Sequence, residues 1–144
     1  MSMPADIKAY NRQLIAEFRT RGGPPDDRPL LLLTTTGRRT GRRHTTPVMR
    51  LVVDGRDAVV ASNRGAPRHP DWFHNLVADP EVTVEVAGET YQARARVPEG
   101  AERDRIWAQI VAAHPFFAEH QSRANPRTIP VVVLERRATA EPSG

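Results

Sequence analysis

The sequence predicts an α+β domain built around an antiparallel β-barrel. Six segments of alternating or β-branched apolar residues predict strands, and most are joined by hairpin turns such as Asp54-Gly55 and Ala87-Gly88. Apolar residues at helical spacing predict helices at the start, in the middle and late in the chain. A chain of 144 residues buries one hydrophobic core. We therefore expect a single domain over residues 1–144, with its core at about 7–136 and a loose tail at 137–144.

The six predicted strands differ in how much of each is expected to be buried. They comprise residues 30–36, 44–53, 57–62, 82–86, 91–97 and 128–136. The first runs from four leucines into three threonines, which is typical of a buried strand. Pro47 cannot donate a hydrogen bond to a neighbouring strand, so an edge or a bulge is expected there. The fourth and fifth strands alternate apolar with polar residues, which predicts a hairpin with one face in solvent.

The predicted N-terminal helix is amphipathic and partly basic. Ile7, Tyr10, Leu14, Ile15 and Phe18 share one face, and the helix ends where two glycines and two prolines follow. Such a helix either lies on a membrane surface or covers the core of its own domain, and both placements stay open. Later helices are predicted after residue 70, over residues 101–113 and after residue 115.

Composition excludes several classes of site. The chain has no cysteine, so disulfides, thiolate metal sites and a cysteine nucleophile are excluded, and a cytoplasmic location is expected. No apolar run reaches the length of a transmembrane helix. The formal net charge of +4 and a pI near 10.5 indicate an anionic partner, whether a nucleic acid, an acidic membrane or an acidic small molecule.

Residues 34–49, TTTGRRTGRRHTTPVM, are the most informative segment of the chain. Four arginines and a histidine fall within seven residues, and two glycines let the backbone turn and approach a ligand. Planar guanidinium groups bind phosphate or carboxylate through two oxygens at once. The segment predicts an anion-binding hairpin, although a solvated charged turn has the same composition.

The spacing of residues does not match several other kinds of binding site. The arginine segment lacks the glycine and lysine pattern of a phosphate-binding P-loop, and no strand is followed by the glycine pattern of a dinucleotide fold. His69 and His74 are five residues apart, and His114 and His120 are six apart, so neither pair predicts a metal site. Aromatic residues do not interleave with the arginines, which disfavours a nucleic-acid partner. The residues favour a protein that positions a cofactor.

Four segments together resemble the deazaflavin (F420)-dependent nitroreductase family. They are NRQLIAEFR, TTTGRRTGRRHTTPV, VVASNRGAPRHPDWFHNL and IPVVVLE, and the resemblance runs in order from about residue 7 to residue 136. The resemblance implies a split β-barrel of the FMN-binding type that binds coenzyme F420, a deazaflavin with a phosphate and an oligoglutamate tail. It also implies an oxidoreductase in which reduced F420 supplies hydride to a quinone, a nitroaromatic or an activated enone.

The resemblance assigns three sets of residues to the cofactor. Those expected to face the acidic tail are Arg38, Arg39, Arg43 and His44. Those expected to line the deazaflavin are Thr46, Pro47, Val48 and Met49, with Trp72 and Asn75 on the helix beside the pocket. Those expected on the loop at the phosphate and ring edge are Ala61, Ser62, Asn63, Arg64, Gly65 and Ala66. For Trp72, plain packing into the core is an equal alternative.

The predicted substrate side departs from the family. Tyrosines line it in the family's characterised nitroreductase, whereas His114, Phe117 and His120 stand at those positions here. The resemblance therefore supports the prediction of cofactor binding more strongly than the prediction that nitro compounds are reduced. We expect His120 to donate a proton to the reduced substrate, with its cationic form the better donor below neutral pH, and His114 to close a helix end. For His120, a surface position without a role is an equal alternative. Asn63 stands where members of the family commonly have a lysine. We therefore expect Arg64 and backbone amides to contribute more to phosphate binding in this chain.

Three functional hypotheses follow from these observations. The first is an F420-dependent reductase of an apolar small molecule, with FMN excluded because it lacks the acidic tail. The second is a module that binds F420 or a lipid without turnover. The third, a nucleic-acid binder, rests only on the arginines.

Overall fold

The computed structural model describes residues 7–26 and 28–137, and in this part of the chain one antiparallel sheet is flanked by helices. The strands are β1 (Leu30–Thr36), β2 (Arg43–Met49), β3 (Leu51–Val53), β4 (Arg56–Val60), β5 (Glu81–Val86), β6 (Glu89–Arg96) and β7 (Val131–Arg136). The helices are α1 (Ile7–Arg21), α2 (Asp71–Ala78), α3 (Gly100–Ala113) and α4 (Phe116–Ala124), with a short 3-10 turn at Asn63–Gly65. The predicted tail lies outside the described residues, apart from residue 137.

The order of the strands requires the sheet to curl. Hydrogen-bonded neighbours follow the order β2-β1-β5-β6-β7-β4-β3, so β2 and β3 are the two edges. Only Arg50 separates these edges along the chain, so the end of β2 and the start of β3 lie within about 8 Å of each other. This proximity requires the sheet to curl into a half-barrel. The predicted α+β antiparallel barrel is confirmed.

One strand prediction is wrong in detail. The predicted strand at 44–53 is divided at Arg50 into β2 and β3, so the sheet has seven strands and not six. The Arg50 amide donates to the carbonyl of Pro29, and its guanidinium bonds Asp57 at 2.7 Å. After this residue the chain leaves β1 and pairs with β4. Pro47 lies in an edge strand, as predicted.

The core has two layers, one inside the barrel and one outside it. Leu31, Leu33, Val59 and Val84 fill the inside, where α2 adds Leu76 from one end. On the outer face of β4 and β7, a second set of buried residues joins α3 and α4 to the sheet, including Ile106, Ile110, Phe117, Ile129 and Val131.

Helix α1 covers the domain core. Leu14 and Phe18 on its apolar face are buried, with 8% and 2% of their surface exposed. The structure therefore gives no support to the alternative in which this face contacts a membrane. No helix among the described residues is long and apolar enough to cross one.

The strand register sorts the loops between two ends of the barrel. The C-terminal ends of β1 and β4 and the N-terminal ends of β2, β5 and β7 lie together, and we call this the upper end. It carries the arginine loop (residues 37–42), the loop 61–70 with α2, and the connection 125–130. The turns at 54–55 and 87–88 and the segment before β1 lie at the opposite, lower end. The predicted arginine loop and the loop 61–66 are thus gathered at one end, whereas residues 46–49 extend along β2 toward the other end, where Met49 lies opposite Leu30.

Candidate functional site

The arginine loop is a closed hairpin. The Gly37 amide donates to the carbonyl of Arg42 at 2.7 Å, and the Gly41 amide donates to the carbonyl of Gly37 at 2.8 Å. Gly41 has a φ of 73°, a conformation that glycine adopts without steric cost. A Cβ at Gly37 would lie 2.8 Å from Nε2 of His44 and 2.8 Å from Oγ1 of Thr40. The His44 ring therefore packs directly on the loop backbone.

A buried amide attaches this loop to α2. Oδ1 of Asn75 accepts from the amide and from Nη1 of Arg38, both at 3.1 Å. The Asn75 side chain is 6% exposed and also donates to Oγ1 of Thr35 at 3.4 Å. Nη2 of Arg38 lies 3.8 Å from Asp71. Arg38 is thus fixed in place, and the predicted neighbours Arg38 and Asn75 do lie together.

The next two predicted residues, Arg43 and His44, lie on opposite faces of β2 because side chains alternate along a strand. Arg43 bonds Oγ1 of Thr36 at 2.7 Å and Oγ1 of Thr83 at 2.8 Å, so it lies across the outer wall. The structure does not bring it together with Arg38. The same alternation divides 46–49: Val48 packs on the inner core, whereas Met49 packs on the outer one.

The loop 61–66 has an unusual backbone. Asn63 and Arg64 have φ values of 49° and 57°, which cost on the order of 1–3 kcal/mol each in non-glycine residues. Ser62 before them is right-handed helical, at φ −70° and ψ −40°. A right-handed residue followed by a left-handed one turns successive N–H groups to one side and forms a concave anion site. Gly65 follows at φ 77°, where a Cβ would lie 2.7 Å from the carbonyl of His120.

Arg127, which sequence reasoning missed, holds this loop from the other side. Its guanidinium donates to the carbonyls of Ala61 (3.1 Å), Ser62 (2.7 Å) and Ala66 (2.8 and 3.0 Å). It also donates to Nδ1 of His69 at 3.0 Å, and burial together with this arginine lowers the pKa of His69. Arg127 is 61–66 residues from its carbonyl partners in sequence, so no local pattern indicates the contact.

His120 bonds the same loop from α4. Its Nδ1 lies 2.6 Å from Oγ of Ser62. Burial is the main cause that lowers the pKa of His120, followed by the nearby Arg123; Glu119 opposes this effect, and Arg64 makes the smallest contribution, which also lowers the pKa. The lowered pKa disfavours the cationic donor that the sequence predicts below neutral pH, because burial disfavours the charged form of the imidazole. What remains available is a neutral ring held by Ser62.

The two other predicted substrate residues, His114 and Phe117, lie in different environments. His114 closes α3, as predicted, since its amide donates to the carbonyl of Ile110 at 2.7 Å. Phe117 is only 5% exposed and packs in the outer core near Trp107, so its side chain offers no surface to a substrate. Its neighbour Phe116 is 39% exposed, and its ring centroid lies 5.5 Å from that of His120. Trp72 is half-buried and packs against the inner core.

The upper end is strongly positive. Residues 37–43, 61–75 and 114–130 hold eight arginines and two carboxylates, Asp71 and Glu119. Six of these arginines form no ion pair with any residue that the structure describes: Arg39, Arg42, Arg43, Arg68, Arg123 and Arg127. Arg43 and Arg127 are held by uncharged acceptors instead. Arg42 was not among the predicted residues. Within 7–26 and 28–137, no group of three histidine or carboxylate side chains could hold a metal ion.

Two surface cavities lie away from these charges. One of 270 Å³ is lined by residues of α1, β5 and β6 that include Arg19 and Glu85, and one of 310 Å³ is lined by residues that include Arg28 and Arg50. Each of these three arginines is paired with a carboxylate. Both cavities lie at the lower end, so the unpaired charge and not the depth of a cavity marks the candidate site.

Comparison with known proteins points to one family. The family described as F420H(2)-dependent quinone reductase matches residues 10–136. An F420H(2)-dependent quinone reductase of Mycobacterium tuberculosis is 38% identical over 117 residues, which cover 78% of this chain and 77% of that protein. A putative F420H(2)-dependent quinone reductase of the same organism is 32% identical over 100 residues, covering 69% of this chain and 83% of that protein.

Solved structures agree with the sequence relatives. The structure of an F420-H2 dependent reductase is 40% identical, with a TM-score of 0.67, and covers 75% of this chain and 95% of its own. A structure described as a domain-swapped dimer is 35% identical, with a TM-score of 0.70, and covers 90% and 100%. The split-barrel fold that the sequence resemblance implied is thereby confirmed. The chain belongs to the F420H(2)-dependent quinone reductase family.

Proposed function

We propose that this protein is an oxidoreductase that uses reduced coenzyme F420 to reduce a quinone. Family membership supports the reaction class. The observation in this structure that carries the proposal is the set of unpaired arginines beside a concave backbone anion site at the upper end. F420 has a phosphate and a tail of carboxylates, so both features match its chemistry.

The residues of the upper end fit the cofactor in two parts. Arg39 and Arg42 would hold the acidic tail, with Arg38 fixed beside them by Asn75. The backbone amides that begin at Ser62 would hold the phosphate. When bound, reduced F420 supplies the hydride. Thr46 and Val48, on the inner face of β2, are favoured for the deazaflavin ring over the outward Pro47 and Met49.

The remaining assignments stay predictions from the sequence. They are a cofactor contact for Arg43, His44, Pro47, Met49, Ala61, Gly65, Ala66 and Trp72, and a substrate contact for His114 and Phe117. The burial of Phe117 and the outer-wall position of Arg43 do not favour them. A cytoplasmic location and the reduction of nitroaromatics or enones also stay predictions.

The substrate side is formed by Phe116 and His120. Phe116 offers an exposed aromatic ring for an apolar quinone. Reduction places negative charge on the quinone oxygen, which needs a hydrogen-bond donor. When the Ser62 hydroxyl donates to Nδ1, the neutral His120 ring carries its proton on Nε2 and can donate it from there. This role needs no cationic form.

The test combines binding with turnover. F420 is titrated into the protein by fluorescence, and reduced F420 is then mixed with catalytic amounts of protein and a soluble naphthoquinone. We expect binding, followed by the return of the absorbance of oxidised F420 only when protein and quinone are both present. Binding without oxidation would favour the non-catalytic module, and absence of binding would remove F420 from the site.

A further inference from the structure

The loop 61–66 presents opposite sides to two different groups. Its carbonyls at Ala61, Ser62 and Ala66 face the guanidinium of Arg127. Its amides from Ser62 onward turn to one side, because a right-handed residue is followed by left-handed ones. A peptide group points its N–H and its C=O in opposite directions. Fixing the carbonyls of Ala61 and Ser62 therefore also fixes the direction of the amides of Ser62 and Asn63, whereas Ala66 precedes Pro67, which has no N–H.

Arg127 has no donor left for a ligand. A guanidinium carries five N–H groups. Here Nε donates to Ala66, the two Nη1 donors serve Ala61 and His69, and the two Nη2 donors serve Ser62 and Ala66. The residue is half-buried, and four of its five hydrogen bonds go to three backbone carbonyls. It thus differs from the exposed arginines of residues 37–42, which carry free donors.

A lysine could not replace this arrangement. The ammonium group has three donors at one point, whereas these acceptors are spread over the edges of a planar fork. The left-handed residues Asn63 and Arg64 are strained, so the loop keeps this shape only where its surroundings determine it. The bond from Ser62 to His120 and the contact of Gly65 with α4 act on the same loop, but neither holds a carbonyl.

We propose that Arg127 is a positioning residue for phosphate binding. It holds the carbonyl side of the loop 61–66, so that the amides of Ser62 and Asn63 converge on a phosphate on the other side. The inference rests on the proposed function, because the phosphate it invokes is that of F420. It adds a residue that touches neither cofactor nor substrate.

The test compares Arg127→Lys with a matched control, Arg103→Gln. Arg103 also caps a backbone carbonyl near β7, that of Ile129 at 2.7 Å, and its partners lie outside the loop 61–66. Binding is measured by fluorescence for F420 and for the phosphate-free deazaflavin nucleoside, which has the same ring. In Arg127→Lys the Kd for F420 should rise about tenfold or more, while that for the nucleoside changes less than about twofold. Arg103→Gln should bind both as the wild type does.

A second measurement uses the protein without cofactor. Hydrogen exchange of the amides at 63–66 should be faster in Arg127→Lys than in the wild type or in Arg103→Gln. Arg127→Lys keeps charge and length, so it decides the matter where Arg127→Ala fails to fold. Unchanged exchange in Arg127→Lys, or equal loss of F420 and nucleoside binding, would overturn the inference. Failure of the wild type to bind F420 would instead overturn the proposed function, and the exchange measurement would still test the loop.

Discussion

Most arginines outside the upper loops (residues 37–43, 61–75 and 114–130) have carboxylate partners among the described residues, with Arg12 and Arg21 of α1 as exceptions, whereas most arginines within these loops have none. Arg19 bonds both oxygens of Glu85, and Arg136 bonds both oxygens of Glu89. Further pairs outside the upper loops are Arg50–Asp57, Arg56–Glu135, Arg94–Glu81, Arg105–Asp54 and Arg137–Glu81. At the upper end, Arg39 and Arg42 pair with no carboxylate of the described chain.

The difference shows that the same residue type has two roles here. Exposed pairs on the wall contribute about 0–1 kcal/mol each and mainly neutralise local charge. Unpaired arginines side by side repel each other, which disfavours the compact state and favours an anionic ligand. The positions that carry no partner, and not the number of arginines, identify the site.

The largest expected change in the Kd for F420 comes from reversing the charge of arginines at the upper end only. Arg39→Glu with Arg42→Glu should raise the Kd for F420 on the order of a hundredfold, because two charge-assisted contacts become repulsions. Arg94→Glu with Arg137→Glu changes the net charge equally but acts on the wall, where both arginines pair with Glu81. Fluorescence titration of the two double variants makes the comparison. An equal loss in both would mean that net charge, and not position, governs binding.

A smaller change in Kd is expected when F420 is replaced by FMN and the protein is left unchanged. FMN has a phosphate but no acidic tail, so it can use the loop 61–66 and not Arg39 or Arg42. Its Kd should exceed that of F420 by about tenfold or more, and should depend less on salt because fewer exposed ion pairs form. Titrations at two salt concentrations measure both quantities. Equal dissociation constants would contradict the assignment of the tail to the arginine loop.

Much of the fold was predictable because it depends on local patterns. The alternation of Val82, Val84 and Val86 predicted a half-buried strand, and Asp54-Gly55 predicted the turn between β3 and β4. The division at Arg50 was not predictable, because 44–53 is continuously strand-like in sequence. The strand ends there because the chain moves from one edge of the curled sheet to the other.

The site was predictable only where its residues are neighbours in sequence. The arginine loop and the loop 61–66 each show their chemistry in a few residues. Arg127 acts across more than sixty positions, so only the fold reveals it. Phe117 was chosen over Phe116 by position in a motif, and which of two adjacent aromatic residues is buried depends on how α4 packs.

Two exposed apolar residues, one at each end, allow the substrate assignment to be tested. Phe116→Ala at the upper end should raise the KM for a naphthoquinone about threefold to tenfold, because a hydrophobic contact of this size is lost. The Kd for F420 should not change. Val52→Ala, at a residue 63% exposed near the lower end, is the control and should leave both values unchanged. Steady-state kinetics with reduced F420 held saturating measure the KM. Identical KM values in the wild type and Phe116→Ala would remove the ring from the substrate side.

The smallest expected effect is the response of the upper end to acid. Burial lowers the pKa of His120, with Arg123 and Arg64 adding to the effect, and burial and Arg127 lower the pKa of His69. A histidine with a lowered folded pKa contributes stability above its unfolded value of about 6.5, and this stability is lost as the pH falls toward the folded pKa. The urea midpoint of the protein should therefore fall below about pH 6.5, and part of that fall should be absent in His120→Gln.

The lowered pKa of His120 also predicts how the rate of catalysis depends on pH. Because the pKa of His120 is lowered in the protein without cofactor, protonation of this ring should change kcat/KM for reduced F420 little between about pH 7 and pH 8. A cationic donor in the free protein would instead make kcat/KM fall over that range. Binding of F420 would offset the positive charge of Arg64 and Arg123, so it should raise the pKa of His120. NMR titration of the imidazole with and without F420 measures that shift, and Arg94→Glu on the wall should leave it unchanged. If the pKa of His120 without cofactor lies at or above its ordinary value, burial and the neighbouring arginines of the upper end do not disfavour the charged imidazole.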